Sequence, residues 1–331
     1  MNVNFVSILG DGSTDVAVIE QEVVFLRYVS PVDGMPVCRE IDIVSLETAN
    51  AQGIMNAIEA GLSQVDLSLD MLRPDNDEVK PSLIMANFDG ASVNFGEKNG
   101  VVKRMKDIFP TLISLQCIAH KLELAALDAN KVTLSGLSSF EETFKGIFSF
   151  YHYSPKRRRE LQAISDMLEQ NLCHLSGVRQ VRWLSSKERA VKAVSHNYQA
   201  IVTHLENTAT DAKATADAGS KAKGYHKAIT AIKFVRLLHF MLDYLPLLAQ
   251  LSRAFQEEKL LIMEIPDALE QTLLALNALK LYPGKNTREF LDKFDIQKMF
   301  AEVKLHSSQE GMLMTWQQIL LIALSTAQLL T

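Results

Sequence analysis

Two aspartates follow apolar runs of the chain, and their positions could build a site for a divalent cation. The first run, Val3–Leu9, leads into Gly10-Asp11-Gly12, and the second, residues 81–88, leads into Asp89-Gly90. If both runs are strands that lie side by side, Asp11 and Asp89 meet at one edge of a sheet. Carboxylate oxygens are the ligands that Mg²⁺ and Mn²⁺ prefer. Asp-Gly after a strand is also ordinary turn chemistry, so both interpretations stay open.

A third carboxylate would complete the chemistry of a two-ion site. Two divalent ions about 3.5–4 Å apart can activate a water or a 3′-hydroxyl and stabilise the leaving oxygen during phosphodiester cleavage. The sequence does not identify the third carboxylate. Cys117-Ile118-Ala119-His120 offers two zinc ligands where a structural site needs four, and Cys173-His174 are adjacent and poorly placed to chelate. We therefore expect His120 at a strand-to-helix corner, on the same edge as the aspartates.

An aromatic residue between arginines could contact nucleic acid. Arg179, Arg182 and Trp183 stand just before a predicted helix. Trp183 could stack on a base while the guanidinium groups hold phosphate. The favoured alternative is a core tryptophan with exposed arginines beside it.

A basic cluster begins another predicted helix. It follows Ser154-Pro155, a pattern typical of an N-cap and a first helical residue. Positive charge at a helix N-terminus opposes the helix dipole, so the cluster is not there for helix stability. It could contact phosphate, serve as a nuclear-import patch or be a solvated face. The basic cluster consists of Lys156, Arg157, Arg158 and Arg159.

The composition describes a globular chain with unevenly distributed charge. Its 331 residues are 47% hydrophobic and 22% charged, and the formal net charge of -5 at pH 7 argues against DNA binding by overall charge. Residues 1–130 are acidic and the remainder is slightly basic. Three cysteines make no disulfide framework, and the N-terminus lacks a signal-peptide pattern. We therefore expect an intracellular protein without a membrane segment.

The apolar pattern of residues 1–131 predicts an α/β domain that would position the aspartates. Predicted strands at Glu20–Val29 and Met35–Leu46 follow the first run, and helices then alternate with strands in the order β-β-β-α-β-α-β-α. Three consecutive strands form an antiparallel meander, and helical crossovers add parallel strands. The strand that ends at Asp89 then pairs beside the first strand.

Residues 132–331 are predicted to be helical throughout, as an all-α second domain. Apolar residues recur at steps of three or four, and two capping-box patterns occur, Ser139 with Glu142 and Ser185 with Glu188.

Three stretches interrupt or end that helical pattern. The small and polar residues near 208–224 predict a flexible stretch, either an exposed linker or a frayed helix. Pro246 predicts a kink or a division in a long helix. Apolar Met312–Leu330, interrupted by glutamines, predicts a buried or partner-facing helix rather than a membrane span.

Four motifs, taken together in their order and spacing, resemble those of the hAT (hobo, Activator, Tam) superfamily transposases. More closely, they are similar to vertebrate transposase-derived proteins that often carry zinc fingers ahead of the transposase region. The motifs are Gly10–Asp15, Asn87–Ser92 with Asn99-Gly100-Val101, Gln116–Leu122 and Val181–Ser185.

The resemblance implies an RNase H-like sheet followed by a long helical insertion domain. It implies that Asp11 and Asp89 are two members of an Asp, Asp, Glu set that binds Mg²⁺ or Mn²⁺. It places His120 beside the active site and Trp183 on DNA. The family's catalytic Glu and dimerisation segment follow the insertion, and neither these nor upstream zinc fingers match anything in this sequence.

Three functions follow as hypotheses. The first is a transposase-derived, non-catalytic protein in the nucleus, or otherwise the cytoplasm, that binds DNA weakly and associates with protein partners or itself. The second is an active transposase that uses a two-metal Asp/Asp/Glu site for cleavage and strand transfer. The third is a protein-interaction module only.

Overall fold

Two units make up the part of the chain that the computed structural model describes, residues 3–14, 19–74, 81–133, 135–175, 183–257, 259–297 and 299–306. The first unit comprises Met1–Lys121 with Phe255–Ile262, and the second comprises the rest. The sequence predicts the division after residue 131. That division stays a prediction; the helix Ile118–Thr133 begins in the first unit and continues into the second.

A mixed sheet of five strands forms the first unit, in the order β3-β2-β1-β4-β5. β1 is antiparallel to β2 and parallel to β4, and β5 is parallel to β4. The predicted α/β class and the central place of the first strand are confirmed. The strands are β1 (Phe5–Thr14), β2 (Glu20–Val29), β3 (Pro36–Ser45), β4 (Ser82–Phe88) and β5 (Ile113–Gln116).

One face of this sheet forms the core of the first unit. Ile8, Val24 and Leu26 are wholly buried there, and each side chain of this size contributes about 1.5–3 kcal/mol when fully buried. Gly61 lets its helix approach the sheet closely, because a Cβ at that position would lie 3.2 Å from the Cβ of Val24. The helices of this unit are α1 (Ala51–Ser63), the short α2 (Ser92–Phe95), which the sequence analysis does not predict, and α3 (Val101–Ile108).

The predicted end of the first strand is wrong. Gly10-Asp11-Gly12 is not a turn, because β1 continues through it to Thr14 and pairs with β2 along the way. Gly10 is needed for another reason. A Cβ there would collide with the carboxyl of Glu22 and the ring of Phe88. In the sequence Gly10 resembles a turn signal. In the structure it leaves room above the strand for the side chains of Glu22 and Phe88.

The second unit consists of helices with one small exception. No strand lies among the described residues between Ser138 and Leu279, as expected for a helical insertion. None of the described helices is long and apolar enough to span a membrane. The apolar stretch Met312–Leu330 lies outside the described residues. After α4 (Ile118–Thr133), the helices are α5 (Ser135–His152), α6 (Pro155–Met167), α7 (Trp183–His196), α8 (Tyr198–Thr210), α9 (Ala216–Ile229), α10 (Ile232–Ala254), α11 (Ile265–Leu281) and α12 (Lys285–Gln297).

The stretch near 208–224 is not a flexible linker. α8 extends to Thr210, and α9 begins at Ala216, where the Thr215 side chain accepts a hydrogen bond from the Ala218 amide at 3.3 Å. Ala218 and Ala222 are buried. Alanine is the best helix former, and its small side chain lets helices approach closely. A composition typical of a linker therefore forms a helical hairpin.

Pro246 does not divide its helix. α10 continues from Ile232 to Ala254 with Pro246 inside it. Leu245, Leu248 and Ala249 around the proline are fully buried. This packing outweighs the cost of the missing backbone hydrogen bond.

Neither predicted capping box begins a helix. Ser139 and Ser185 both lie inside helices, because α5 begins at Ser135 and α7 at Trp183. A carboxylate from another helix supports the start of α7 instead, where Glu123 Oε2 accepts a bond from the Leu184 amide at 2.9 Å. The predicted cap at Ser154 is confirmed, since its hydroxyl accepts from the Arg157 amide at 3.3 Å.

The prediction that residues 132–331 are helical throughout is wrong at a small hairpin. Met299–Phe300 and Val303–Lys304 pair as two-residue strands. Ala301 and Glu302 between them have φ values of 45° and 60°, the pattern of a type I′ turn. The ring of Phe300 packs edge-on against Tyr198 and His239, which fixes the hairpin to the helices.

Asp243 joins α10 to the start of α12. Its Oδ1 accepts bonds from the backbone and side-chain nitrogens of Asn286 at 3.0 and 2.8 Å. Its Oδ2 accepts from the backbone and hydroxyl of Thr287 at 2.9 and 2.6 Å. A single carboxylate thus satisfies the orphan donors of a helix N-terminus from a distant part of the chain.

We expect Asp243→Ala to lower the free energy of unfolding by about 2 kcal/mol, because it removes a charged cap with four hydrogen bonds. Urea denaturation followed by circular dichroism measures the change. Asp217→Ala is the control, since it removes an exposed carboxylate that pairs with Lys221 and lies in the first turn of α9, and it should cost less than about 1 kcal/mol. Equal effects of the two substitutions would contradict the capping role.

Candidate cation site and basic surface

Asp11 and Asp89 lie at the same level of two neighbouring parallel strands. The register of β1 with β4 pairs Leu9 with Asn87. Asp11 and Asp89 each follow two residues later, so they lie on the same face of the sheet as that pair. β4 ends at Phe88, so Asp89 stands just beyond its carboxyl end. Asp11 is exposed and Asp89 is half-buried.

The carboxylate of Asp89 is held by the turn that follows it. Its Oδ1 accepts the Ala91 amide at 3.1 Å and Nδ2 of Asn94 at 2.6 Å. Both bonds fall on one oxygen and fix the carboxylate plane. Neither of these two bonds falls on Asp89 Oδ2.

Glu22 is a third carboxylate near this pair, and the sequence analysis missed it. It lies opposite Gly12 in the β1–β2 register and is 2% exposed. Its position is in phase with buried Val24 and Leu26 on β2, so it lies on the core face, opposite to the face of Asp11. The period-two pattern could have revealed it. Apolar residues occur on both faces of β2, however, so the alternation alone does not show which face is buried. The pairing with β1 shows it.

Burial makes Glu22 difficult to ionise. Its pKa rises from the usual 4.5 to about 7, first because of desolvation and then because of the negative charges of Asp11 and Asp89. The carboxyl lies over Gly10, beside the ring of Phe88. Three acidic groups therefore influence one another at this edge of the sheet.

Carboxylate oxygens such as those of Asp11 and Asp89 are the ligands that a hard divalent cation prefers. Within the described ranges, no group of three or more His, Cys, Asp and Glu side chains is arranged to hold a metal ion directly. Two buried oxygens here nevertheless have no hydrogen-bond partner, Glu22 Oε1 and Asn94 Oδ1. Asp11 and Asp89 are the residues that would coordinate Mg²⁺ or Mn²⁺, which usually retains several waters.

His120 lies near the carboxyl end of β5. The Cys117 amide donates to the carbonyl of Phe88 at 2.8 Å, so the Cys117–His120 segment starts beside the end of β4. His120 lies in the first turn of α4 and is half-buried. The strand-to-helix corner is confirmed, and a catalytic role of His120 stays a prediction.

The basic cluster is divided between structural and exposed side chains. Arg157 lies 3.9 Å from the ring centroid of Phe150 and donates to the Phe150 carbonyl at 3.1 Å. Lys156 is exposed and pairs with Glu160 at 3.6 Å. Arg158 and Arg159 are exposed. Arg157 therefore holds α6 against α5, and the other three side chains are presented to solvent.

The remaining predicted DNA contacts fall largely outside the described residues. Arg179 and Arg182 are not described. Trp183 is the first residue of α7, and its side chain lies outside the part of the chain that the structure describes. Their roles stay predictions.

The free energy of unfolding should depend on the ionisation of Glu22. Because its pKa is higher in the folded chain, the folded state binds more protons than the unfolded state between about pH 4.5 and 7. We expect stability without divalent cations to fall as the pH rises through this window, by at most about 3 kcal/mol from Glu22. Urea denaturation in EDTA from pH 5 to 8 measures it.

Glu22→Gln should remove this part of the pH dependence. Glu20→Gln is the matched control, because Glu20 is an exposed residue of the same strand and its replacement should leave the slope unchanged. A wild-type slope in Glu22→Gln would show that other groups cause it.

Residues 1–89 match the family model described as the RNase-like domain of ZMYM1/FAM200 (DUF4371). This span contains β1 to β4 and includes Asp11, Glu22 and Asp89. The mixed five-stranded sheet followed by helices is consistent with an RNase-like domain and a helical region. The match fits a transposase-derived, zinc-finger-associated family.

Proposed function

We propose that this chain is a transposase-derived protein of the hAT type that binds a divalent cation at Asp11 and Asp89 and contacts DNA without cutting it. The observation that supports it most is the placement of the two aspartates at one level and on one face of adjacent parallel strands. The match of residues 1–89 to an RNase-like domain supports the same origin.

Binding without cleavage is proposed because of where the third carboxylate lies. Two-ion cleavage needs carboxylates that contact both ions directly. The third carboxylate near the pair, Glu22, is buried on the opposite face of the sheet. A single cation held by two aspartates can bind phosphate oxygens but does not clamp both the attacking and the leaving oxygen.

DNA is the proposed partner of the second unit. Lys156, Arg158 and Arg159 are exposed on the first turn of α6, where they can neutralise backbone phosphates without reading sequence. A nuclear location is part of the same proposal, since DNA is the partner.

Protein association is a second candidate function. Leu274, Leu281 and Tyr282, on α11 and at its end, are more than half exposed in the described part of the chain. Aromatic and aliphatic side chains of this kind form the centres of protein interfaces. Light scattering of the purified chain over a range of concentrations tests for self-association.

The cation proposal predicts that Asp11→Asn and Asp89→Asn each abolish Mn²⁺ binding measured by titration calorimetry, because each removes one of two direct ligands. Asp33→Asn is the control, an exposed aspartate of the same unit, and should bind as the wild type does. Wild-type protein with Mg²⁺ or Mn²⁺ should not nick supercoiled or linear DNA. If it does, and Asp89→Asn abolishes the nicking, the chain is an active nuclease or transposase.

The DNA proposal predicts that Arg158→Ala with Arg159→Ala weakens binding and flattens the dependence of log K on log salt by about two units, one per lost phosphate contact. Fluorescence anisotropy with duplex DNA measures both. Arg157 is left in place because it packs on Phe150. Lys221→Ala with Lys223→Ala removes two exposed charges from α9 and should not alter the slope.

A further substitution tests base stacking. Trp183→Ala should weaken binding by about 1–3 kcal/mol with little change in salt slope if the indole stacks on a base. Equal binding by the Arg158/Arg159 variant and the wild type would overturn the proposed DNA surface.

A further inference from the structure

Helix α11 packs on one face and is exposed on the other. Leu276, on the inner side, is 1% exposed. Leu274 and Leu281, on the outer side, are 63% and 70% exposed, and Tyr282 at the C-terminal cap is 71% exposed. Single exposed apolar side chains are normal on a protein surface, whereas a contiguous patch marks an interaction site. The described part of the chain leaves this end of α11 uncovered.

The exposed side chains of α11 form a single stripe along the helix. They recur at steps of three or four residues, which places them on one face of a helix with about 3.6 residues per turn. The first half of the stripe is acidic, and the second half is apolar, with a small residue between two leucines. This α11 stripe consists of Asp267, Glu270, Leu274, Ala278 and Leu281, all of which are exposed.

Positive charge follows the apolar end of the α11 stripe. Lys285 begins α12 and Arg288 lies in its first turn, and both are exposed. Lys285 Nζ lies 3.9 Å from Glu289 Oε1, which is too far for a hydrogen bond. The surface is therefore acidic at the start of α11, apolar towards its end and basic just beyond it. Such a surface is complementary in charge to a copy of itself that runs in the opposite direction.

We propose that the α11 stripe packs against the α11 stripe of a second copy of this chain, antiparallel, around a two-fold axis beside Ala278. The inference rests on protein association as a function and names its partner, and it is independent of the cation and DNA proposals. Leu274 of one copy then contacts the partner's Leu281, and the reverse contact follows by symmetry. The small side chain of Ala278 lets the two helices approach closely at the axis.

The charges select the antiparallel arrangement. Glu270 lies eight residues before Ala278, about 12 Å along the helix axis. Lys285 lies beyond the other end of α11, so antiparallel pairing brings Glu270 of each copy towards the partner's Lys285. Parallel pairing would instead place the acidic halves of the two stripes side by side and align the two helix dipoles, both of which are unfavourable.

Sedimentation equilibrium of the full chain over micromolar concentrations tests the proposal. One helix face per copy is smaller than a standard interface of about 1,600 Å², so we expect a reversible dimer with a micromolar dissociation constant. Leu274→Glu and Leu281→Glu should each raise this constant at least about 10-fold, because symmetry places two new charges in the apolar centre. Met167→Glu is the control, since Met167 at the end of α6 is 74% exposed, and should dimerise as the wild type does.

Circular dichroism and thermal unfolding of each variant check that its fold is retained. The replaced side chains are exposed, so we expect melting temperatures of the monomers to match the wild type. A loss of association without a loss of stability distinguishes an interface role from a structural one.

A pair of charge variants tests the orientation. Glu270→Lys and Lys285→Glu should each weaken the dimer about 3-fold or more, because each turns two opposite-charge contacts into like-charge contacts. An equimolar mixture of the two variants should dimerise again, since a mixed dimer restores opposite charges at both positions. High salt should weaken the wild-type and mixed dimers alike.

The outcomes distinguish this inference from the proposed functions. A wild-type chain that stays monomeric at every concentration overturns the inference and leaves the cation and DNA proposals to their own measurements. If the wild type dimerises and both leucine variants dimerise equally well, self-association stands but the α11 stripe is not its surface. If the leucine variants are monomeric while each charge variant dimerises as the wild type does, the antiparallel arrangement is wrong.

Discussion

The parallel pairing of β1 with β4 is the constraint on which the rest of the first unit depends. It joins a strand from the start of the chain to one that follows a meander and a helix. The pairing fixes the level of Asp11 against Asp89, and the antiparallel pairing of β1 with β2 then fixes Glu22 opposite Gly12. A shift of one residue in either register would move a carboxylate to the other face of the sheet.

The burial of Glu22 costs stability at this edge of the sheet. The core around Ile8, Val24 and Leu26 is apolar and wholly buried. Glu22 continues the same inward phase, where its desolvation and its proximity to two aspartates raise its pKa. Gly10 leaves the space that its carboxyl occupies. An apolar side chain would fill this position at lower cost, because a buried carboxyl is expensive unless it is paired.

The second unit is held together by interactions between helices more than by local caps. Asp243 and Glu123 each support the start of a helix from another helix. Lys187, almost wholly buried on α7, pairs with Glu141 on α5, and burial lowers its pKa. Arg157 packs on Phe150 and leaves only part of the basic cluster to face a ligand. Polar side chains thus join the helices, and one of the four cationic side chains of the basic cluster is used within the fold.

The sequence by itself determined the class of the fold and most of its elements. It also determined that the strands leading to Asp11 and Asp89 are parallel neighbours. Strands, helices and the Ser154 cap follow from local periodicity and local hydrogen bonding, which neighbouring residues largely decide. Only the tertiary structure decided that Gly10 and Gly12 belong to a strand, that most residues near 208–224 form helices and that Pro246 lies within one. It also decided that Glu22 is buried on the core face of the sheet. Each of these depends on what a distant element places against the residue. Glycine, alanine and proline have local preferences that packing can override, and the phase of a strand is set by its register.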